Sequence, residues 1–304
     1  MTAKKPELSI VIVNFNTRKL THQCIESIFR SFRSYKSKDT PSFEIILIDN
    51  ASTTDDSKLY LADYAKKHKN IVYVARETNA GYGPANNQGV KLAQGTYILL
   101  LNSDTVVLKD AIQKLYAFYL KNEKTKHFIG PKLLNKDMTP QASAAPFYSL
   151  PVVFGALFLR GDYWGLTRSS PKELKRVDWV SGAAIMTKRD YFEKLLGFDE
   201  TIFMYMEEVD LLYRAKKAGF QTYFYPKAKI IHLGSASSNG RTYPIIQVYR
   251  GLLFFYKKQY SFIALILLRF LLRLKAGMAW TLGFIINNNY LKKTYEEAFH
   301  VAGQ

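Results

Sequence analysis

Leu99-Leu100-Leu101-Asn102-Ser103-Asp104-Thr105 is the stretch that decides the fold. A short apolar run bounded by turn-forming residues reads as an interior strand. It stops at a small polar residue followed by a carboxylate, and in open α/β sheets ligands gather beyond the carboxyl ends of the strands. Asp104 is therefore a candidate ligand for a hard divalent cation, at a place where such a cation and a diphosphate would meet.

Outward from this stretch the same pattern recurs. Leu8 to Val13 is a β-branched run that stops at Asn14-Phe15-Asn16, and helical spacing follows from Leu20 to Phe32. Phe43 to Ile48 closes on Asp49-Asn50-Ala51-Ser52, and Ile71 to Val74 leads into Asn79-Ala80-Gly81-Tyr82-Gly83. Strands alternating with helices predict an α/β fold with a mostly parallel sheet and helices on both faces. Asn14, Asn16, Asp49, Asn79, Asn102 and Ser103 then stand at or just past strand ends, where a nucleotide site is built. Taken singly, such residues equally cap helices and shape turns. The Gly81–Gly83 loop is neither a Walker phosphate loop nor a dinucleotide fingerprint. Asn86 and Asn87 begin or line the following helix.

Toward the C-terminus, Trp179 to Ala184 is strand-like and ends in small residues that let a ligand approach the backbone. Glu207, Glu208 and Asp210 put three carboxylates beside the helical face Leu211, Leu212 and Ala215. In a first turn, Glu207 and Glu208 complement the helix dipole, and that structural role stands beside a catalytic one. Asp210 and Arg214 have the spacing of a helix ion pair, which makes Asp210 structural or orienting. Thr222 to Pro226 and Lys229 to His232 read as strand, turn and strand. His232 is either a packed polar residue or, with Asp104, a second ligand of a divalent metal.

Bulk properties narrow the partners. Hydrophobic residues at 48% argue against disorder, and the lone Cys24 permits no internal disulfide, which suits a reducing compartment. No apolar signal core precedes the first strand. A net charge of +18 calls for an anionic partner. From Arg241 to Tyr295 there is no Asp or Glu, while Arg250, Lys257, Lys258, Arg269, Arg273, Lys275, Lys292 and Lys293 are interleaved with Leu, Ile and Phe. That mixture suits an anionic membrane surface rather than nucleic acid. Phe262 to Trp280 contains Arg269, Arg273 and Lys275, so it lacks the roughly 18 to 20 uncharged residues a crossing needs. It is read as an amphipathic helix lying in the membrane interface, with a helix packed on the rest of the chain or on a second subunit as the alternative.

Jointly, these residues resemble the inverting GT-A glycosyltransferases of family 2, and within them the rhamnosyltransferase-like branch. The resemblance is carried by Ser9 to Asn16, Ile48 to Ser52, Asn79 to Gly83, Leu101 to Asp104, Val180 to Ala183 and Tyr205 to Leu211, in the family's order. It implies a Rossmann-like GT-A catalytic domain over 1–238 and a C-terminal amphipathic, membrane-associating helical region over 239–304. It also implies that Asn14, Asn16 and Asp49 hold the nucleotide base. Asn102 meets a ribose hydroxyl, with Asn79 and Ser103 in the same nucleotide site. Asp104 binds Mg²⁺ or Mn²⁺, His232 joins the metal shell, and Glu208 is the general base, with Glu207 beside it.

The implied reaction moves rhamnose or another hexose from a nucleoside-diphosphate sugar, dTDP-rhamnose or a UDP-sugar. The acceptor is a hydroxyl of a glycan or a polyprenyl-diphosphate-linked molecule in cell-surface polysaccharide synthesis. It places the protein in the cytoplasm, peripheral at the inner face of the cell membrane. One base and one metal suffice for such a displacement, and no Ser-His-Asp or Cys-His arrangement competes. A nucleotidyltransferase would carry a glycine-rich basic loop near the first strand, which Asn14-Phe15-Asn16-Thr17 is not. A catalytically silent scaffold binding membranes or glycans is the alternative from another class.

Overall fold

The computed structural model describes residues 5–35, 40–234 and 242–304. Arg241 and the expected boundary at 238–239 lie outside the described residues. In the first third, strand and helix alternate: β1 (Leu8–Asn14), α1 (Arg18–Ser34), β2 (Phe43–Asp49), α2 (Ser57–Lys66), β3 (Ile71–Ala75), α3 (Tyr82–Leu92) and β4 (Tyr97–Asn102). These strands run parallel in the order β3-β2-β1-β4. Every residue of β1 is buried, as expected of a strand covered on both faces. The register sets Asn14 opposite Asp49, Asp49 opposite Ala75, and Val13 opposite Asn102. The polar strand ends therefore fall along one rim.

The chain continues with β5 (Thr105–Val107), α4 (Ala111–Asn122), β6 (Phe128–Leu134), β7 (Ala144–Ala145), α5 (Leu150–Phe158), β8 (Lys175–Val177), β9 (Trp179–Val180), β10 (Ala184–Lys188), α6 (Arg189–Lys194), α7 (Glu207–Lys217) and β11 (Thr222–His232). The main sheet extends past β4 as β10-β6-β11-β5, and β8 also pairs with β11. Here the sheet is mixed: β10 is antiparallel to β4 and β6, whereas β6 and β11 are parallel. β7 and β9 form a separate two-stranded ribbon. The segment expected as strand, turn and strand is one strand, β11, whose register against β6 shifts between Tyr225 and Lys229. Pro226 lacks the N–H a ladder needs, and the irregularity absorbs it without ending the strand.

Side chains alternate across the sheet into two cores. Ile10, Ile12, Leu47 and Leu99 pack with Ile25, Ile28 and Leu115 of α1 and α4. Val11, Ile46, Ile48 and Leu100 face the opposite core, which includes Leu211 and Leu212 of α7. That second core runs on into the C-terminal helices α8 (Thr242–Gln259), α9 (Phe262–Ile285) and α10 (Asn289–Val301), through Tyr249, Phe255, Leu268 and Leu272. The C-terminal segment thus docks one face on the rest of the chain, as its second reading expected. The outward side of α9 is also apolar: Phe262, Ile263 and Phe270 are exposed. Among the described residues, no helix is long and apolar enough to cross a membrane.

Candidate active site

At the β1–β2 end of the rim, Asn14 and Asp49 are fully buried and bonded to each other. Asn14 Nδ2 donates to Asp49 Oδ1 at 2.6 Å and to Ser52 Oγ at 3.0 Å, while Thr21 Oγ1 donates to Asn14 Oδ1 at 2.6 Å. Ser52 donates its hydroxyl to Asp49 Oδ1 at 2.6 Å and its N–H to Asp49 Oδ2 at 3.1 Å. This network braces the loops that follow β1 and β2. Asn16 has φ 54°, a left-handed conformation asparagine tolerates, and its Oδ1 accepts the N–H groups of Thr53 and Thr54 at 2.8 and 3.0 Å. Asn79 Oδ1 accepts from Asn50 Nδ2 at 2.8 Å and from Gly81 N at 3.0 Å. Gly81 has φ +107°, and a Cβ there would lie 2.3 Å from the Phe203 carbonyl oxygen, so only glycine lets this loop close.

Three buried polar atoms near these strand ends have no partner among the described residues: Asn50 Oδ1, Asn102 Oδ1 and Arg76 Nη1. Buried polar atoms in folded proteins are nearly always bonded, so their unmet capacity points to a ligand. Arg76 was not foreseen from the sequence. The signal was a cation immediately after β3, whose N–H donates to the Asp49 carbonyl at 2.8 Å. Ser103 lies beside the same loops, its Oγ 3.2 Å from Thr17 Oγ1.

Asp104 sits in the tight turn from β4 to β5, and the antiparallel pairing of β5 with β11 sets Thr105 opposite His232. His232 Nε2 lies 3.4 Å from Asp104 Oδ1. The other ring nitrogen, Nδ1, is 2.8 Å from Gln141 Oε1. Gln141 Nε2 donates to Asn135 Oδ1 at 3.1 Å and to the His232 carbonyl at 3.3 Å, so Oε1 is the amide atom that faces the ring. Nδ1 then carries the proton in the neutral ring, and the lone pair of Nε2 faces a carboxylate oxygen. Two acceptors facing one another fit a cation, and Gln141 is the outer-shell partner such a ligand histidine uses. Among the described residues, no group of three or more His, Cys, Asp or Glu side chains could hold a metal ion. Two protein ligands leave the remaining coordination to phosphate and water oxygens, as suits Mg²⁺ or Mn²⁺ with a nucleotide.

The carboxylate side of the cleft is set by strained backbone. Tyr205 and Met206 have φ 65° and 73°, and α7 starts immediately after them. Glu208 Oε1 accepts the Gly182 N–H at 3.3 Å, and burial raises its carboxyl above the ordinary range. Glu207 is buried with Oε2 unpartnered, and burial together with the Glu208 charge pushes it up to about 8. Tyr82 Oη donates to the Gly182 carbonyl at 3.0 Å. Burial, followed by the charges of Glu207, Glu208 and Asp104, raises the Tyr82 phenol, so one side chain lies within the field of all three carboxylates. The Arg168 charge acts on Glu208 in the opposite sense to burial. Tyr82 lies in the Asn79 to Gly83 motif without an assigned role, and Gln141 and Arg168 had no sequence signal, because each gains its place through contacts distant along the chain.

Asp210 is different. It is fully buried, but Arg214 Nε donates to it at 2.8 Å, Lys258 Nζ lies 2.9 Å from Oδ1, and Gln259 Nε2 donates at 2.9 Å. It ties α7 to α8. Cys24 is buried, and burial raises its thiol to about 12, which removes it as a nucleophile.

The fold and rim define a GT-A-like protein: a mixed sheet flanked by helices, with Asn and Asp residues at its strand ends. The chain belongs to glycosyl transferase family 2, whose model matches residues 9–195. It is 26% identical over 215 residues to the low-salt glycan biosynthesis hexosyltransferase Agl10 of Haloferax volcanii, covering 69% of this chain and 62% of that one. It is 27% identical over 217 residues to the N-acetylglucosaminyl-diphospho-decaprenol L-rhamnosyltransferase of Mycobacterium tuberculosis, covering 65% and 68%. The poly(ribitol-phosphate) beta-glucosyltransferase of Bacillus spizizenii is 32% identical over 144 residues, 44% of this chain but only 22% of that enzyme. The chain therefore spans less than two thirds of some of the relatives it matches. Among solved structures, the Pyrobaculum calidifontis mannosyltransferase PcManGT, in complex with GDP-Man and Mn²⁺, superposes with a TM-score of 0.58 at 13% identity, over 99% of this chain and 87% of that one. GalNAc-T7 with UDP, GalNAc and Mn²⁺ gives 0.58 at 18% identity, over 82% and 48%.

Proposed function

We propose that this protein is an inverting glycosyltransferase of the rhamnosyltransferase-like branch, acting at the inner face of the cell membrane. It would transfer rhamnose or another hexose from a nucleoside-diphosphate sugar to a hydroxyl of a glycan or polyprenyl-diphosphate-linked acceptor during cell-surface polysaccharide synthesis. The single observation that supports this reading is that Glu207, Glu208 and Asp104 all act on the Tyr82 phenol, while His232 Nε2 lies 3.4 Å from Asp104 Oδ1. The named activities of the haloarchaeal, mycobacterial and bacillar relatives support it, and the mycobacterial one favours rhamnose.

The proposed division of labour assigns each residue by its place in the cleft. Asn14, Asp49 and Ser52 shape the base end of the cleft, and Asn16 and Asn79 hold its loops. Asn102, Asn50 and Arg76 offer unmet polar atoms to base and ribose, and Ser103 lies beside them. Asp104 and His232 would hold Mg²⁺ or Mn²⁺, which supplies electrostatic stabilisation of the leaving diphosphate. Glu208 accepts the proton of the acceptor hydroxyl as that oxygen attacks the anomeric carbon, and burial raises its proton affinity above that of an ordinary carboxylate. Glu207, neutral below about pH 8, can donate a hydrogen bond beside it.

The test is a panel of sugar nucleotides, dTDP-rhamnose included, scored with Mn²⁺ or Mg²⁺ by release of nucleoside diphosphate from wild type and Asp104→Ala. The expected result is one preferred donor, turned over only with metal and lost in the variant. No turnover with any donor, together with no metal-dependent nucleotide binding, would replace this reading with a silent scaffold.

A further inference from the structure

An apolar element with no part in the chemistry stands beside the catalytic cleft. Of α5, only Val153 is buried, and the turn that follows it exposes Leu159, Tyr163, Trp164 and Leu166. Trp164 is 68% and Tyr163 78% exposed, unusual for large aromatic rings of a folded chain. The turn is held in shape: Gly161 N donates to the Gly155 carbonyl at 2.9 Å, Leu166 N to the Gly161 carbonyl at 2.8 Å, and Thr167 Oγ1 to Asp162 Oδ1 at 2.5 Å. Its rings are thus presented outward by an ordered scaffold. α5 packs against α9, and Lys275 Nζ lies 5.8 Å from the centre of the Phe158 ring. α9 therefore lies beside α5, the helix that leads into the turn.

We infer that α5, the turn at 159–166 and the outer side of α9 form one membrane-docking face, and that its occupant is an anionic lipid surface. Charge complementarity selects this occupant. Residues 242–295 hold no Asp or Glu, Arg160 and Arg273 are exposed, Lys275 lies over the Phe158 ring, and the one carboxylate of the turn, Asp162, is engaged by Thr167. Interfacial Trp and Tyr beside Lys and Arg are the side chains that settle at the headgroup level. The face also adjoins the cleft. Tyr148, just before α5, packs 5.7 Å from the Trp179 ring and lies in the field of Glu208, and Arg168, just after the turn, sits 5.6 Å from the same ring. Docking would turn the Glu208 side of the cleft toward the bilayer, where a lipid-linked diphosphate presents its acceptor hydroxyl. That orientation rests on the proposed function; the docking itself does not.

The experiment reads lipid binding without turnover. Full-length protein is sedimented with phosphatidylglycerol–phosphatidylcholine vesicles and with phosphatidylcholine vesicles alone, for wild type and Tyr163→Ser/Trp164→Ser. The expected results are binding to the anionic vesicles that weakens with salt, about tenfold weaker partitioning of the variant (about 1.4 kcal/mol), and unchanged donor hydrolysis. A variant that partitions like wild type, or a wild type that ignores anionic vesicles, overturns the inference. So does lipid-independent dimerisation that the same substitutions abolish, which would give the face to a second copy of this chain. Loss of donor turnover in wild type with binding intact would overturn the catalytic reading alone.

Discussion

Two acidic positions on one helix have opposite surroundings. Asp210, fully buried, is met by Arg214, Lys258 and Gln259. Glu207 and Glu208, in the same first turn, have no salt-bridge partner among the described residues, and burial raises both. A buried carboxylate with cations around it is committed to holding the fold, whereas one left without them keeps an affinity for protons. The sequence Glu207-Glu208-Val209-Asp210 does not separate these roles. The partners do, and they come from elsewhere in the chain.

The sharpest way to break this contrast is Glu208→Gln. It keeps the shape and removes the base, so transfer should fall about a thousandfold while the melting temperature stays near that of wild type. A loss of stability with little loss of rate would put Glu208 on the structural side. Next in size, Asp104→Ala should lower metal-dependent turnover about a hundredfold or more. Gln141→Leu should weaken Mn²⁺ binding, read by calorimetry, about tenfold to a hundredfold through the freed His232 ring. Unchanged affinity would mean that the hydrogen bond to Nδ1 does not orient a ligand.

Asp210→Ala should do the reverse of Glu208→Gln. Removing one member of a buried ionic cluster leaves Arg214 without its carboxylate and Lys258 with Asp199 alone, and should cost about 3 kcal/mol in denaturant unfolding, with activity per folded molecule retained. Glu207→Gln is read through its pH dependence. The folded carboxyl titrates near 8 against an ordinary value of 4.5, so folding favours its protonated form. Its contribution to stability is fully present below pH 4.5 and is lost as pH rises through about 8. Glu207→Gln should therefore melt higher than wild type at pH 8 and show no advantage below pH 4.5. An equal gain at both would assign the effect to packing.

Much of this was legible in the sequence because it depends on local pattern. The β-branched runs ending in Asn or Asp announced the parallel strands and the rim, since apolar continuity marks a covered strand and its end marks the ligand side. The Asp210–Arg214 pair followed from helix spacing alone. The pairing of Asp104 with His232 did not, for it needs β5 and β11 to lie side by side. The partnerless atoms of Arg76, Asn50 and Asn102, the Gln141 brace and the left-handed residues before α7 are likewise products of tertiary closure. At Pro226 a local rule misled: proline reads as a turn, but a register shift against β6 carries it within β11. The C-terminal helix fits the packed alternative on one face and leaves its other apolar face outward, a combination hydropathy alone cannot divide.

The most direct test of the central claim is the pH dependence of donor turnover by wild type and Glu208→Gln. Burial raises the Glu208 carboxyl, and only its deprotonated form can accept the acceptor proton, so the rate must fall as pH drops through that raised value. The adjacent acids titrate as a pair, so the limb belongs to both. The account predicts a wild-type acidic limb centred above the ordinary carboxylate value of 4.5, and its disappearance from the residual rate of Glu208→Gln. A limb that persists unchanged in the variant would place the base elsewhere and contradict the account.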